Sequence, residues 1–368
     1  RLRAQTTRYL SKTPMFTISN VNIDASKTDK AAISASGNVS IELDGKNTVS
    51  GGWGHAGVEK TDVGSLTIKD DNDEKGSLSA KGGSQGAGIG GSTGESTSNI
   101  TITGGTITAN GGNMAAGIGG GKNGGAKDIT ISGSDTKVDA AGGANGAGIG
   151  GGLKGNADGI TIKDGADVTA KGGLTKDPDV DIGGGAGIGG GAEGDGLGIK
   201  IDGSTVKGTG TTGGSGIGGG VYGAGDVTIT GGSHVEGTAT AEGGAGIGGD
   251  GFDEDTGTGK TSTVKIDNST VIGTGSSNSA GIGGGNMGGA NVTITGKDSD
   301  VTGSGETVSE LVEQGVKTLV FVTPQGTAKV DAAALAAMLG EDGVFRLVVA
   351  ESSMDLWVNG VLHNELLK

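Results

Sequence analysis

Apolar and polar residues alternate one by one in short segments that recur along the chain: Ile100-Thr101-Ile102-Thr103, Ile129-Thr130-Ile131-Ser132, Ile160-Thr161-Ile162-Lys163, Val227-Thr228-Ile229-Thr230 and Val292-Thr293-Ile294-Thr295. Such alternation puts Ile and Val on one side of a strand and Thr or Lys on the other. After a glycine-containing corner a shorter alternating segment follows, as in Thr106-Ile107-Thr108-Ala109, Lys137-Val138-Asp139-Ala140, Asp167-Val168-Thr169-Ala170 and Thr205-Val206-Lys207-Gly208. Ahead of each pair stands a glycine block centred on Gly-Ile-Gly, with the isoleucine at 89, 118, 149, 188, 217, 247 and 282. From one central isoleucine to the next the steps are 29, 31, 39, 29, 30 and 35 residues. A period near thirty that absorbs insertions marks a solenoid. Three short β-segments per period predict one coil of a parallel β-helix, and seven blocks predict seven stacked rungs.

The pattern weakens at both ends. Ala31-Ala32-Ile33-Ser34 and His55-Ala56-Gly57-Val58 stand where later coils carry the glycine block. Val39-Ser40-Ile41-Glu42-Leu43 and Leu66-Thr67-Ile68-Lys69 stand for the alternating strand. Terminal repeats of a solenoid are atypical because they close an open end. Residues 16–305 are thus expected to form about nine coils, a rod on the order of 40 Å long at a strand spacing of about 4.8 Å. Residues 1–15 read as a lead-in or cap. Residues 306–368 lack the glycine block and read as a small α+β module. In it Asp331 caps a helix through Leu339 that Gly340 ends, and strands are expected at Thr318–Thr323, Val344–Val349 and Asp355–Val358.

Composition narrows the picture. With 86 glycines and 2% aromatic residues, the chain suits a narrow lumen of stacked Ile, Val and Ala better than a wide globular core. Collagen and glycine-rich disorder are excluded by the period and by the β-branched residues in phase with it. The net charge of -15 repels phosphate backbones, so nucleic acid is not an expected partner. No cysteine is present, which removes disulfides and thiolate metal sites. Apolar runs such as Leu319-Val320-Phe321-Val322 are too short to cross a bilayer, so no transmembrane segment is expected. No apolar export signal follows Arg1, and the chain reads as a piece of a longer exported protein.

Repeated Ala-Gly-Ile-Gly-Gly-Gly followed by Val/Ile-Thr-Ile-Thr-Gly-Gly resembles the glycine-rich repeat proteins of gut Firmicutes, large exported surface proteins whose coils resemble the pectin-lyase-like right-handed β-helix. Residues 16–305 carry the resemblance. It implies an all-β, right-handed parallel β-helix and an extracellular, bacterial cell-surface location. A period near thirty also excludes left-handed hexapeptide helices, whose coils are near eighteen residues. The clustered acidic and basic set of the superfamily's lyases and hydrolases is missing.

Candidate chemistry is sparse. Among the few aromatic residues, Trp53 and Tyr222 lie in the coils beside glycine blocks and are the candidate sugar platforms; Trp53 also reads as a cap over the first coils. Asp250, Asp253 and Asp255 in one loop, and Asp177, Asp179 and Asp181 in another, offer hard oxygen ligands for calcium. A third acidic run, Asp70-Asp71-Asn72-Asp73-Glu74, is broken by Lys75. His55, His234 and His363 share no metal-ligand spacing and read as solvated residues. Alternation turns Ala87 and Ile89 inward and Gly86, Gly88 and Gly90 outward, leaving a face nearly bare of side chains for another chain or for internal packing. The expected function is a non-catalytic extracellular stalk or adhesive rod without a resident cofactor. Its candidate partners are a glycan, a host or cell-surface protein, or a second copy. The alternatives are a carbohydrate-binding or glycan-cleaving protein and a filament subunit.

Overall fold

Each period folds into three strands, and each strand pairs in parallel with its counterpart one period on. The first face runs from Met15–Ser19 through Thr97–Ile102, Ala126–Ser132 and Ala157–Lys163 to Gly289–Thr295. The second runs from Asn22–Asp24 through Gly105–Asn110 and Thr136–Ala144 to Ser299–Ser304, and the third is a nine-stranded sheet from Ile33–Ala35 to Ile282–Gly283. The chain is therefore an all-β parallel β-helix of nine coils followed by two strands of a tenth. This structure, a computed structural model, describes residues 14–60, 63–174, 183–241, 243–250, 252–253, 258–276, 279–285, 288–295, 299–304, 308–309, 312, 317–323, 326–340, 343–350 and 353–368.

Register explains why the inward residues are β-branched. Ile100 pairs with Ile129 and Ile129 with Ile160; Ile102, Ile131 and Ile162 form a second row, and all six are fully buried. On the second face Ile107, Val138, Val168, Val206, Val235 and Val271 form one continuous row. Stiff branched side chains stack on their own kind one coil away, and each buried residue contributes about 1.5–3 kcal/mol. Outward positions carry the charge. Lys137 lies opposite Asp167 with Nζ to Oδ2 at 3.6 Å, and Lys207 opposite Glu236 at 3.0 Å. Stacking thus sets opposite charges side by side along an acidic rod.

The third face is built differently: internal packing of the glycine block, with close approach between coils, is what the structure holds, and the outward placement of its glycines is corrected. Gly86, Gly88 and Gly90 are buried, not displayed. The strand is only two residues long, so the block is wedged between the ends of the second-face strands and the next coil. A Cβ on Gly88 would lie 2.7 Å from Gly117 O and 2.8 Å from Asn110 N. The glycine after each central isoleucine has φ between 135° and 142°, at positions 90, 119, 150, 189, 218, 248 and 283. At the first six of these a side chain meets two obstacles: a backbone conformation that only glycine adopts freely, and the carbonyl of the next coil's equivalent glycine. Backbone packs on backbone, with Ile118 N to Gly148 O at 3.0 Å and Gly120 N to Gly150 O at 2.9 Å.

The C-terminal residues close the rod. Val344–Val349 pairs antiparallel with Ser299–Ser304, the last strand of the second face. Met354–Val358 and Val361–Leu362 add to it in turn. Leu347, Val349, Leu356 and Val358 are buried in the same core as the coils. A hairpin, Thr318–Thr323 with Gly326–Asp331, packs against the last first-face strand, Gly289–Thr295. Helix Ala332–Leu339 follows it as the sequence predicts: Asp331 accepts from Ala334 N at 2.9 Å, and Gly340 ends the helix with φ of 65°.

Candidate functional site

The solenoid does not bring the two expected aromatic platforms together. Trp53 sits on the turn before the second third-face strand and Tyr222 on the turn after the seventh, five coils apart, or roughly 24 Å at the usual strand spacing. Trp53 is 70% exposed, so it stands clear of the coils instead of capping them. Tyr222 is half-buried on the stripe formed by Leu153, Ala192 and Val221, in the left-handed conformation with φ of 62°. Lys154 and Glu193 take the same conformation at the equivalent turns, which makes Tyr222 a rung of a turn ladder.

Asp250 lies in the coil stack and not in a projecting loop. It occupies a column that is glycine at 121, 152, 191 and 220, each of whose amides donates to a carbonyl of the preceding turn as Asp250 N does to Gly223 O at 3.0 Å. Its Oδ2 accepts from Tyr222 N at 2.9 Å, while its Oδ1 is buried with no partner. Burial pushes this carboxyl up to about 7, against the pull of the Tyr222 hydrogen bond. The backbone of Asp253 lies in the strand Phe252–Asp253. Asp255 lies outside the described residues, as do Asp177, Asp179 and Asp181. Among the described residues no three His, Asp or Glu side chains gather as a metal-holding group. The third acidic run is consumed locally: Asp71 pairs with Lys69 at 2.6 Å, and Asn72 donates to Asp44 at 2.6 Å.

Two arrangements were missed by the sequence reading. The first is a polar knot in coils two and three. His55 Nδ1 lies 2.6 Å from Glu59 Oε2, and Ser92 Oγ donates to the same oxygen. Glu59 is the register partner of Gly90, and Ser92 opens the glycine column that Asp250 later interrupts. The signal was in the alignment of repeats, since polar side chains stand where regular coils have glycine. His55 is therefore anchored instead of freely solvated. Ser92 Oγ also lies 3.4 Å from His55 Nδ1, so serine and carboxylate meet the same ring nitrogen, whereas a hydrolase triad sets them on opposite nitrogens of the imidazole. His234 and His363 similarly lie 3.7 Å from Glu236 and 2.6 Å from Glu365.

The second is a groove of about 530 Å3 on the outer face of the C-terminal strands, lined by Thr302, Val344, Arg346, Trp357, Asn359 and Gly360. Thr302 pairs with Arg346 and Arg346 with Trp357, so a hydroxyl, a guanidinium and an indole lie in one cross-strand row. Asn359 and Gly360, with φ of 51° and 78°, make the two-residue turn at its end. Asn359 also ties the groove to the helix, donating to Met338 O at 3.0 Å and accepting from Val344 N at 3.0 Å.

Coil stacking, inward aliphatic rows and a C-terminal cap define the class: a parallel β-helix. Compared with known proteins, the chain matches no family model, no curated protein and no solved structure. No described helix is long and apolar enough to cross a membrane.

Proposed function

We propose that this chain is the non-catalytic, rigid part of an extracellular bacterial surface protein, a stalk that holds a binding surface away from the cell. The observation that carries this reading is the uninterrupted register of the third face from Ile89 to Ile282, which the longer 39- and 35-residue periods leave intact. A chain that keeps its stack while its turns vary is a spacer with adaptable edges. The C-terminal strands cover the last second-face edge, which argues against filament growth through that end. A carbohydrate-binding role is favoured by the exposed indole of Trp53 and by the groove at Trp357. Protease shaving and antibody labelling of intact cells carrying the parent protein test the surface assignment. Labelled rods released by shaving are expected; a signal confined to the cell interior would overturn it.

A further inference from the structure

We infer that the turn at Trp53 binds an uncharged sugar unit, its ring stacked on the indole and one of its hydroxyls donating to His55 Nε2. This deepens the reading of the rod as a ligand-presenting stalk and rests on it. Of the chain's two tryptophans Trp53 is the exposed one, and Trp357 is half-buried. The turn that carries Trp53 is tied on both sides. Trp53 N donates to Thr28 O at 2.9 Å in the coil before. Gly54 O accepts from Thr93 N at 2.8 Å and from Thr93 Oγ1 at 3.0 Å in the coil after. An indole on such a mount offers apolar area to the C–H face of a sugar ring, and little of its order has to be gained on binding.

The polar knot beside it fixes the second contact. Ser92 Oγ accepts from Ala56 N at 3.3 Å and donates its one proton to Glu59 Oε2. The same carboxylate oxygen takes the proton of His55 Nδ1 at 2.6 Å, a tautomer that leaves a lone pair on Nε2. The imidazole is 34% exposed, and its Nε2 has no partner among the described residues. Regular coils do without this arrangement. Gly86, Ala115 and Gly146 repeat the backbone bonds of His55, Gly90 pairs with Glu59, and Gly121 stacks on Ser92. Glu59 and Ser92 are 8% and 6% exposed, so polar side chains are buried here at a cost, and such departures from a repeat collect at functional sites.

The knot also sets the charge of the ligand. An imidazole lone pair accepts from a hydroxyl and has nothing to give a carboxylate, and the Glu59 carboxylate behind it repels an acid. An extended peptide is disfavoured, because it holds sheet edges through main-chain hydrogen bonds. The turn's own main chain is already paired: beyond the bonds above, His55 N donates to Gly52 O at 3.0 Å and His55 O accepts from Gly83 N at 2.9 Å. A ligand must therefore be held by side chains, a ring by the indole and a hydroxyl by the imidazole.

Calorimetry on the whole chain tests the inference with the neutral tetrasaccharides of glucose, galactose and mannose and with a galacturonic acid tetrasaccharide as probes. At least one neutral probe is expected to bind, and more tightly than the acidic one. Trp53→Ala is expected to weaken it at least about tenfold and His55→Ala about threefold to tenfold, while Trp357→Ala, at the other end, changes nothing. If His55→Ala lowers the melting temperature, the triple variant His55→Gly, Glu59→Gly, Ser92→Gly restores the glycines of the regular coils and is expected to show the same loss. No neutral saccharide bound by the wild type, tighter binding of the acidic probe, affinity that survives Trp53→Ala or the loss of the imidazole, or affinity lost in Trp357→Ala would each overturn the assignment. Shaving of intact cells separates the two readings: rods that are released but bind no neutral saccharide sink the Trp53 site and leave the stalk.

Discussion

The first and third faces of the coil solve one problem by opposite means. On the first face, side chains fill the lumen: Ile129, Ile131, Ile160 and Ile162 stack in rows with no exposure. On the third, the glycines beside each isoleucine let carbonyls and amides of successive coils approach to where a Cβ would stand. The first face tolerates change in proportion to the volume removed. The third tolerates almost none, because the obstacle is backbone, which cannot rotate away. The comparison explains how a chain with so few aromatic residues stays ordered: much of its interior is closed by main chain.

The largest effect expected from this contrast comes from adding one carbon. Gly189→Ala drives a Cβ into the Gly218 carbonyl at a φ of 135° and should destabilise the rod by at least about 4 kcal/mol in thermal melts. Gly232→Ala, at a φ of 74° with nothing within 4 Å, should cost only the strain of the left-handed conformation, about 1–2 kcal/mol. Equal melting temperatures would break the comparison. Next, Ile160→Ala empties a first-face site and should cost about 2–5 kcal/mol by denaturant unfolding.

Asp250 sharpens the contrast through charge. Its folded-state value of about 7 lies above the ordinary 3.8, so the folded state holds its proton more tightly than the unfolded chain. The stability this contributes is fully present below about pH 4 and is lost as pH rises through 7. Asp250→Asn should therefore flatten the fall in melting temperature between pH 4 and pH 8 and stabilise the chain at pH 8 by about 2 kcal/mol. An unchanged pH profile would show that the carboxyl is not desolvated. The smallest effect belongs to the solvated face. There Lys207 lowers the titration of Glu236, and Lys207→Gln should cost no more than about 0.5 kcal/mol in the same melts.

Much of this architecture was legible in the chain, for a physical reason. A solenoid repeats one local solution, so strand alternation at Ile100–Thr103 and at Ile129–Ser132 is the same instruction written twice, and register follows from spacing. The C-terminal helix was legible because Asp331 and Gly340 are local start and stop signals. Close approach between coils at the glycine blocks was legible as well; what escaped was the inward placement of those glycines and the side-chain contacts that depend on the neighbouring coil. Alternation assigns Gly88 outward, but a two-residue strand has no free outer side once the second-face strand ends fold against it. The anchoring of His55 by Glu59 and the burial of Asp250 escaped similarly, since both depend on what the neighbouring coil lacks. Trp357 and Arg346 are eleven residues apart in sequence and become partners only through an antiparallel register.

Site-resolved hydrogen exchange tests the central claim most directly. If the third face is closed by main chain, the amides of Ile118, Ile149 and Ile188, which donate to Gly148, Gly187 and Gly216 at 3.0, 3.0 and 3.1 Å, should exchange as slowly as those of Ile129 and Ile160 on the first face. Third-face amides that exchange at the rate of the exposed turn around Gly232 would contradict it, and the glycine blocks would then be linkers between two sheets instead of a third wall.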